Sequence, residues 1–125
     1  MSVILIVEDN EQNMKLVRDL LQFKGYQTLE AATGMEGLRL ARERNPALVL
    51  MDIQLPDIDG ITALAKLRAD PVTQKIPVVA VSASVMPDEQ QRIVASGFDA
   101  FITKPINVKT FAETVERFIG KPKAA

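Results

Sequence analysis

The residues of this chain that are able to do chemistry are carboxylates, a hydroxyl and a lysine. Glu8-Asp9, Asp52, Ser82 and Lys104 each follow a short apolar run of the sequence. The 125 residues contain no His and no Cys, which excludes disulfides, the usual zinc sites, Cys nucleophiles, the Ser-His-Asp triad and a phosphohistidine on this chain. Any chemistry here therefore depends on carboxylates, hydroxyls, Lys side chains and the backbone.

Three of the carboxylates, those of Glu8, Asp9 and Asp52, would attract a cation if the fold brings them together. Carboxylates about 5 Å apart repel one another by roughly 3 kcal/mol per pair at an effective dielectric constant of ~20, and a proton or a divalent cation relieves this repulsion. A set of oxygen ligands completed by water suits Mg²⁺. Beside Mg²⁺, Asp52 could act as a nucleophile toward phosphorus and form an aspartyl phosphate. The metal and Lys104 would then neutralise the phosphoryl oxygens.

Hydrophobic patterning indicates the elements that must position these residues. Five short apolar runs, rich in Val, Ile and Leu and without polar alternation, are typical of strands buried on both faces of a parallel sheet. The segments between them have helical spacing, so the chain predicts five βα units with helices on both faces of one sheet. The five predicted strands are residues 3–7, 28–31, 48–51, 78–81 and 100–102.

The predicted helices begin and end at characteristic residues. Thr33 and Glu36 have the spacing of a capping box at the start of the second helix, and Gly25 follows the first helix. The apolar stripes of the first and last helices are expected to face the core. They consist of Leu16, Val17, Leu20 and Leu21 in the first helix and Val108, Phe111, Val115 and Phe118 in the last.

The candidate residues follow the carboxyl ends of predicted strands 1, 3, 4 and 5. Ligands of such sheets bind beyond these ends, at the point where the strand order reverses. With the common strand order 2-1-3-4-5, that point lies between strands 1 and 3, so Asp9 and Asp52 would lie about 5 Å apart. Lys104 follows strand 5, roughly 10 Å from strand 3, and its side chain is long enough to reach back.

The composition argues against two classes of partner. Lys and Arg number 15 against 16 Asp and Glu, which gives a net charge of −1, and the aromatic residues are five Phe and one Tyr. Domains that bind nucleic acid are usually basic on one face, and many stack bases on aromatic rings, so we expect no nucleic-acid partner. The first apolar run is too short for a signal peptide or a membrane span. We therefore expect a cytoplasmic chain without a membrane partner.

Four segments of the sequence resemble the receiver domain of response regulators. They are LIVEDN (5–10), LMDIQLPDIDG (50–60), VVAVSAS (78–84) and FITKPI (101–106). The resemblance covers about residues 2–119 and implies a receiver domain over residues 1–120, followed by a short tail at 121–125. It also implies the α/β fold of the CheY-like superfamily, a doubly wound, five-stranded parallel sheet with the flavodoxin-like order 2-1-3-4-5.

The resemblance implies a metal site and a phosphoacceptor. Asp52 would be the phosphoacceptor and, with Asp9, would bind Mg²⁺. Glu8, at a position where the family more often has Asp, would support the metal, often through water. Gln54, two residues after the acceptor, would contribute its backbone carbonyl to the metal.

The resemblance also implies how the site responds to phosphorylation. Ser82, where the family more often has Thr, would donate a hydrogen bond to the phosphoryl group, and Lys104 would pair with that group. Phe101 occupies the aromatic switch position, and the Lys104–Pro105 peptide bond is expected to be cis. These positions predict a route from the phosphoryl group to the surface formed by helix 4, strand 5 and helix 5.

The function that this implies is a phosphorylation-activated switch of a two-component phosphorelay, and not an enzyme. Its phosphoryl donor would be a histidine kinase or a histidine phosphotransfer protein, and autophosphorylation from small donors and autodephosphorylation would be intrinsic and dependent on Mg²⁺. Because no effector domain follows residue 119, output is expected to pass by docking of helix 4, strand 5 and helix 5 to a protein target.

Two alternatives stay open for this function. The chain could be the receiver domain of a hybrid histidine kinase, or a docking module for which phosphorylation is incidental. The segment 57–60 has the composition of a calcium-binding EF-hand loop, but Leu55 and Lys66 stand where its first and twelfth ligands should be. The remaining isolated acids, Asp19, Asp88 and Asp99, are interpreted as solvated loop residues.

Overall fold

Ten alternating strands and helices are present in the computed structural model, which describes residues 3–83 and 86–120. The tail expected at 121–125 lies outside these residues. The strands are β1 (Val3–Val7), β2 (Gln27–Ala31), β3 (Leu48–Asp52), β4 (Val78–Ser82) and β5 (Ala100–Thr103). The helices are α1 (Glu11–Phe23), α2 (Gly34–Arg44), α3 (Gly60–Ala69), α4 (Pro87–Ala95) and α5 (Val108–Ile119).

The five strands form one parallel sheet in the order β2-β1-β3-β4-β5, which confirms the predicted doubly wound order. Successive side chains of a strand point to opposite faces, so each apolar strand contributes to two cores. Leu5 and Val7 pack with residues of α2, α3 and α4, whereas Ile4 and Ile6 pack with residues of α1 and α5. Burial on both faces explains why the strands lack polar alternation.

The last three strands each continue one residue beyond the predicted end. Asp52, Ser82 and Thr103 are polar and resemble loop residues in the sequence, but the parallel ladder pairs Asp52 with Val81 and Ser82 with Thr103. Their backbones are therefore fixed by the sheet. The side chains of Asp52 and Ser82 leave the end of the sheet from rigid positions.

The apolar stripes of two helices differ from the prediction. Helix α1 buries Met14, Val17 and Leu21, whereas Leu16 is 42% exposed. Helix α5 buries Phe111 and Val115, whereas Val108 at its first position is 52% exposed. Neighbouring positions on a helix point about 100° apart, so a cluster of apolar residues is wider than the face that meets the sheet.

Side chains cap most of the helices at their first turn. Thr33 accepts a hydrogen bond from the Glu36 N–H at 3.1 Å, as the capping-box spacing predicts, and Asn10 caps α1 in the same way. Gly25 has a φ of 100° directly after α1, which is the left-handed conformation of a helix C-terminal glycine. Among the residues that the structure describes, no helix is long and apolar enough to cross a membrane.

Candidate functional site

The acidic residues after β1 and at the end of β3 meet at the carboxyl edge of the sheet. Strands β1 and β3 are neighbours, and the strand order reverses between them. One carboxylate oxygen each from Glu8, Asp9 and Asp52 lies within 4.8 Å of the other two. Glu8 and Asp52 are buried, and Asp9 is exposed. We call these three residues the acid cluster.

The side chain of Lys104 reaches the acid cluster from beyond strand β4. Its Nζ lies 2.9 Å from Glu8 Oε1 and 3.0 Å from Asp52 Oδ2. Lys104 follows β5, and strand β4 separates β5 from β3, so the side chain crosses one strand to reach the carboxylates. The contact with Glu8 was not foreseen from the sequence, which gave Lys104 a role only toward a phosphoryl group.

The electrostatics of the cluster follow from its burial. Burial and the neighbouring Asp52 carboxyl raise the pKa of Glu8 to about 7, although Lys104 and the Asn10 N–H act in the opposite direction. Burial lowers the pKa of Lys104, but the carboxylates of Glu8 and Asp52 outweigh it, and the net shift of the Lys104 pKa is upward. The site therefore concentrates negative charge that one ammonium group balances only in part.

Backbone hydrogen bonds orient the two buried carboxylates. Asp52 Oδ1 accepts a hydrogen bond from the Gln54 N–H at 3.0 Å, and Glu8 Oε2 accepts one from the Asn10 N–H at 3.2 Å. Each carboxylate thus holds Lys104 with one oxygen and a local N–H with the other. Both side chains have a fixed orientation toward the cluster.

Ser82 and Phe101 lie on the β4 and β5 side of the site. Ser82 is buried at the end of β4, and its carbonyl accepts a hydrogen bond from the Lys104 N–H at 2.8 Å. Phe101 is half-buried on β5 and pairs with Ala80. The peptide bond between Lys104 and Pro105 is cis, the isomer that the resemblance implies.

Phe101 lines two surface grooves. One, of about 460 Å³, lies against α4 and is lined by Pro87, Gln90, Gln91, Val94, Ala95 and Phe101. The other, of about 340 Å³, extends toward the start of α5 and includes Phe101, Pro105 and Thr110. Phe101 therefore lines both grooves of the surface formed by α4, β5 and α5.

The acids between β3 and α3 have structural roles that were not predicted from the sequence. Asp57 accepts hydrogen bonds from the N–H groups of Gly34 and Met35, and Asp59 accepts one from Thr62 as the N-cap of α3. An Asp three residues before Thr62 at a helix start is an N-cap signal, so the role of Asp59 was detectable. The role of Asp57 depends on a helix distant in sequence and was not.

The interpretation of three isolated acids as solvated loop residues was wrong in part. Asp19 and Asp88 lie within α1 and α4, not in loops. Asp99 lies in a loop, but its Oδ2 accepts hydrogen bonds from Arg68 Nη2 at 2.9 Å and from the Val78 N–H at 2.8 Å. It therefore connects the start of β4 to the segment before β5.

The donor set of the acid cluster fits a hard divalent cation. It offers carboxylate oxygens, with one atom from each of three residues within 4.8 Å of the others. Oxygen ligands in an incomplete set are those that Mg²⁺ takes, with water completing its coordination. Burial, and after it the neighbouring Asp52 carboxyl, raises the pKa of Glu8, and a bound cation would favour the charged form of this carboxylate.

Comparison with known proteins gives a consistent result. The response regulator receiver domain family matches residues 4–116 of the chain. The polar-differentiation response regulator DivK of Brucella ovis is 47% identical over 117 residues, which cover 94% of this chain and 95% of that protein.

Two solved structures have the same fold over nearly their whole length. The receiver domain of a sensor histidine kinase from Pseudomonas aeruginosa PAO1, with a magnesium ion coordinated in its active site cleft, superposes with a TM-score of 0.88 at 28% identity. That match covers 96% of this chain and 98% of the other. A CheY-like receiver domain protein from Methanospirillum hungatei superposes with a TM-score of 0.84 at 29% identity, covering 94% and 92% of the two chains.

Proposed function

Since this chain belongs to the family of response regulator receiver domains, we propose that it is a phosphorylation-activated switch of a two-component phosphorelay. Residues 1–120 form the receiver domain in this proposal, and Asp52 is the phosphoacceptor. The observation that carries the proposal is the contact of Lys104 Nζ with both Asp52 and Glu8, at 3.0 and 2.9 Å. This contact places a cation beside the carboxylate that would receive a phosphoryl group.

The chemistry is a transfer of a phosphoryl group between two nucleophiles. An oxygen of the Asp52 carboxylate forms a bond to phosphorus while the bond from phosphorus to a histidine nitrogen of the donor protein breaks, and the electron pair of that bond stays on the imidazole. Lys104 then pairs with the phosphoryl oxygens, and the Ser82 hydroxyl donates a hydrogen bond to one of them. Such transfers depend on positioning and charge neutralisation.

The acid cluster is the metal site of this proposal. Glu8, Asp9, Asp52 and the backbone carbonyl of Gln54 would hold Mg²⁺. The bound cation supplies neutralisation of the charge that develops on the phosphoryl oxygens. With small donors such as acetyl phosphate, the chain would phosphorylate itself in the same way, and hydrolysis of the aspartyl phosphate would reset it.

The output of the switch is docking to a protein. Ser82, once it moves toward the phosphoryl group, vacates space that Phe101 fills by turning inward, and the surface of α4, β5 and α5 changes. The two grooves at Phe101 support this proposal, because a movement of Phe101 would change the surface that they form. In this proposal the regulator works in the cytoplasm through protein partners, which its similarity to the response regulator DivK supports. Its net charge of −1 argues against a nucleic-acid partner.

One alternative has a specific observation in its favour. The similarity to the receiver domain of a sensor histidine kinase supports a receiver that works as part of a hybrid kinase. The two readings differ in their phosphoryl donor. In a phosphotransfer profile each purified histidine kinase of the host is incubated with the chain. Labelling by a separate kinase favours the single-domain regulator, and labelling only by a kinase whose own chain contains this receiver sequence favours the hybrid kinase.

Labelling by acetyl phosphate tests the chemistry directly. The chain is incubated with acetyl phosphate in two parallel reactions, one containing Mg²⁺ and the other EDTA. Mass spectrometry then locates the modified residue. We expect a hydroxylamine-sensitive label at Asp52 that requires Mg²⁺. A chain that docks to its partners but takes no label at Asp52 would be a docking module instead.

A further inference from the structure

The loop between β3 and α3, residues 53–59, is held by α2 as well as by its own strand and helix. Asp57 Oδ1 accepts a hydrogen bond from the Gly34 N–H at 2.8 Å, and Asp57 Oδ2 accepts one from the Met35 N–H at 2.8 Å. The first N–H groups of a helix have no acceptor within the helix. One carboxylate therefore connects the segment that follows Asp52 to the first turn of α2.

Two glycines make this connection tight. A Cβ atom on Gly34 would lie 2.5 Å from Ile58 Cγ1, so the first turn of α2 packs directly on the loop. A Cβ atom on Gly60 would lie 2.7 Å from the carbonyl oxygen of Asp52, so the far end of the loop packs on the end of β3. The loop is thus enclosed between α2 and β3.

We propose that Asp57 is a positioning residue for the metal site. By fixing the loop on α2, it holds the backbone carbonyl of Gln54 in place for the acid cluster. This inference rests on the proposed function, because the Gln54 carbonyl is a ligand only if Mg²⁺ binds at Glu8, Asp9 and Asp52. It adds to that function a residue outside the ligand set.

The hydrogen bonds of the loop explain why its middle depends on such an anchor. The Gln54 N–H donates to Asp52 Oδ1, and the Gly60 N–H donates to the carbonyl oxygen of Ile53 at 2.8 Å, so the two ends of the loop are fixed. The carbonyl of Gln54 begins the stretch between these ends, and the side chains of Gln54 and Pro56 are exposed. If the loop became ordered only when the cation binds, the lost conformational entropy would weaken binding. A loop that is already held in place does not have this cost.

The test compares Asp57→Ala with Thr33→Ala on the full chain. Both variants remove a cap from the same end of α2, because Thr33 accepts the Glu36 N–H at 3.1 Å, but only Asp57 lies in the loop. Mg²⁺ binding is measured by isothermal titration calorimetry. We expect Asp57→Ala to bind Mg²⁺ about tenfold more weakly or worse, since losing a group that orients a ligand typically costs about 10–100-fold in affinity. Thr33→Ala should keep the wild-type affinity.

Two further measurements separate positioning from loss of stability. Asp57→Asn keeps one acceptor oxygen and should give an intermediate affinity. Without metal, amide hydrogen exchange over residues 53–58 should be faster in Asp57→Ala and unchanged in Thr33→Ala. At saturating Mg²⁺, the rate at which acetyl phosphate labels Asp52 should return to the wild-type rate in Asp57→Ala.

The outcomes distinguish this inference from the function on which it rests. If wild-type protein binds Mg²⁺ and labels at Asp52, but Asp57→Ala has unchanged Mg²⁺ affinity and loop exchange, then Asp57 is only a cap of α2 and the inference is wrong. Equal weakening in Asp57→Ala and Thr33→Ala would assign the effect to α2 and also overturn it. If wild-type protein neither binds Mg²⁺ nor labels at Asp52, the proposed function itself fails.

Discussion

Lys104 Nζ and Asp52 Oδ2 lie 3.0 Å apart, although strand β4 lies between the strand that carries Asp52 and the strand that Lys104 follows. The Lys104 backbone is fixed by its N–H, which donates to the carbonyl of Ser82. Its ammonium group also contacts Glu8 at 2.9 Å, so one cation pairs with two buried carboxylates. We therefore expect Lys104 to stabilise the folded protein as well as to take part in phosphoryl transfer.

Lys104→Met should lower the free energy of unfolding of the metal-free protein by about 1–2 kcal/mol. Leaving buried charges without their partner costs about 3–5 kcal/mol, and partial solvent access at the sheet edge reduces this figure. Urea unfolding in EDTA measures the loss, and Mg²⁺ should restore part of it. Arg42→Met, which breaks the exposed pair with Asp70, is the control and should cost about 1 kcal/mol at most. Equal losses in the two variants would contradict this account.

Mg²⁺ should raise the melting temperature of the wild-type protein, because it binds the folded acid cluster and not the unfolded chain. At ten times its dissociation constant the gain is about 1.4 kcal/mol. Asp9→Ala removes one ligand of the cluster and should abolish this response, whereas Asp19→Ala, on the exposed face of α1, should keep it. Differential scanning calorimetry with and without Mg²⁺ makes the comparison. A full Mg²⁺ response in Asp9→Ala would exclude Asp9 from the metal site.

The strands and the polar residues at their carboxyl ends were predictable because each depends on a local pattern, whereas the strand order that brings the acids together was taken from the order common to such sheets. Continuous apolar runs indicate strands buried on both faces, and the carboxyl ends of such strands meet at one edge. The ends of β3 and β4 were less predictable. Asp52 and Ser82 are polar, yet the ladder fixes their backbones while their side chains serve the site.

The contacts that join distant segments were not predictable from the residues alone. The pair of Lys104 with Glu8 depends on the path of a long side chain across β4, and the contact of Asp57 with α2 depends on how two loops pack. Leu16 and Val108 fall beside the buried stripes of their helices, and only the packing angle decides their exposure. No local pattern contains this information.

The contribution of Asp57 to stability should depend on pH in a direction set by its pKa. Hydrogen bonds from the Met35 and Gly34 N–H groups hold the pKa of Asp57 below its usual value of 3.8. Because the folded-state pKa is the lower one, the stabilisation is fully present above about pH 3.8 and is lost as the pH falls through the folded-state pKa. The measurement is the difference in urea midpoint between wild-type protein and Asp57→Ala from pH 6 to pH 2. A difference that stays constant over this range would contradict the assignment.

Asp52→Asn should take up no phosphoryl group from acetyl phosphate or from a histidine kinase. The single amide oxygen can still accept one of the two hydrogen bonds that Asp52 accepts from the Gln54 N–H and from Lys104, so the fold should persist while the nucleophile is lost. Transfer from radiolabelled acetyl phosphate, followed by hydroxylamine treatment, measures the result. Asp88→Asn, on the exposed side of α4, should label like the wild type. An acid-stable label on Asp52→Asn would indicate a Ser or Thr acceptor.

Ser82→Ala should separate the chemistry of the switch from its output. Ser82 is buried at the end of β4, beside the strand that carries Phe101, and phosphorylation of Asp52 adds about −1.5 to −2 charges that recruit its hydroxyl. In Ser82→Ala, Asp52 should still accept a phosphoryl group. Because no hydroxyl moves toward that group, phosphorylation should no longer open space for the Phe101 side chain. A shift of a conformational equilibrium requires different contacts in its two states, and the hydrogen bond from Ser82 to the phosphoryl group supplies that difference.

We therefore expect phosphorylation to change the NMR signals of the Phe101 ring in the wild type and in Ser82→Thr, but not in Ser82→Ala. The phosphate-dependent gain in affinity for a partner at α4, β5 and α5 should fall on the order of tenfold in Ser82→Ala. If Ser82→Ala keeps both the Phe101 response and the full gain in affinity, the signal leaves the site by another route.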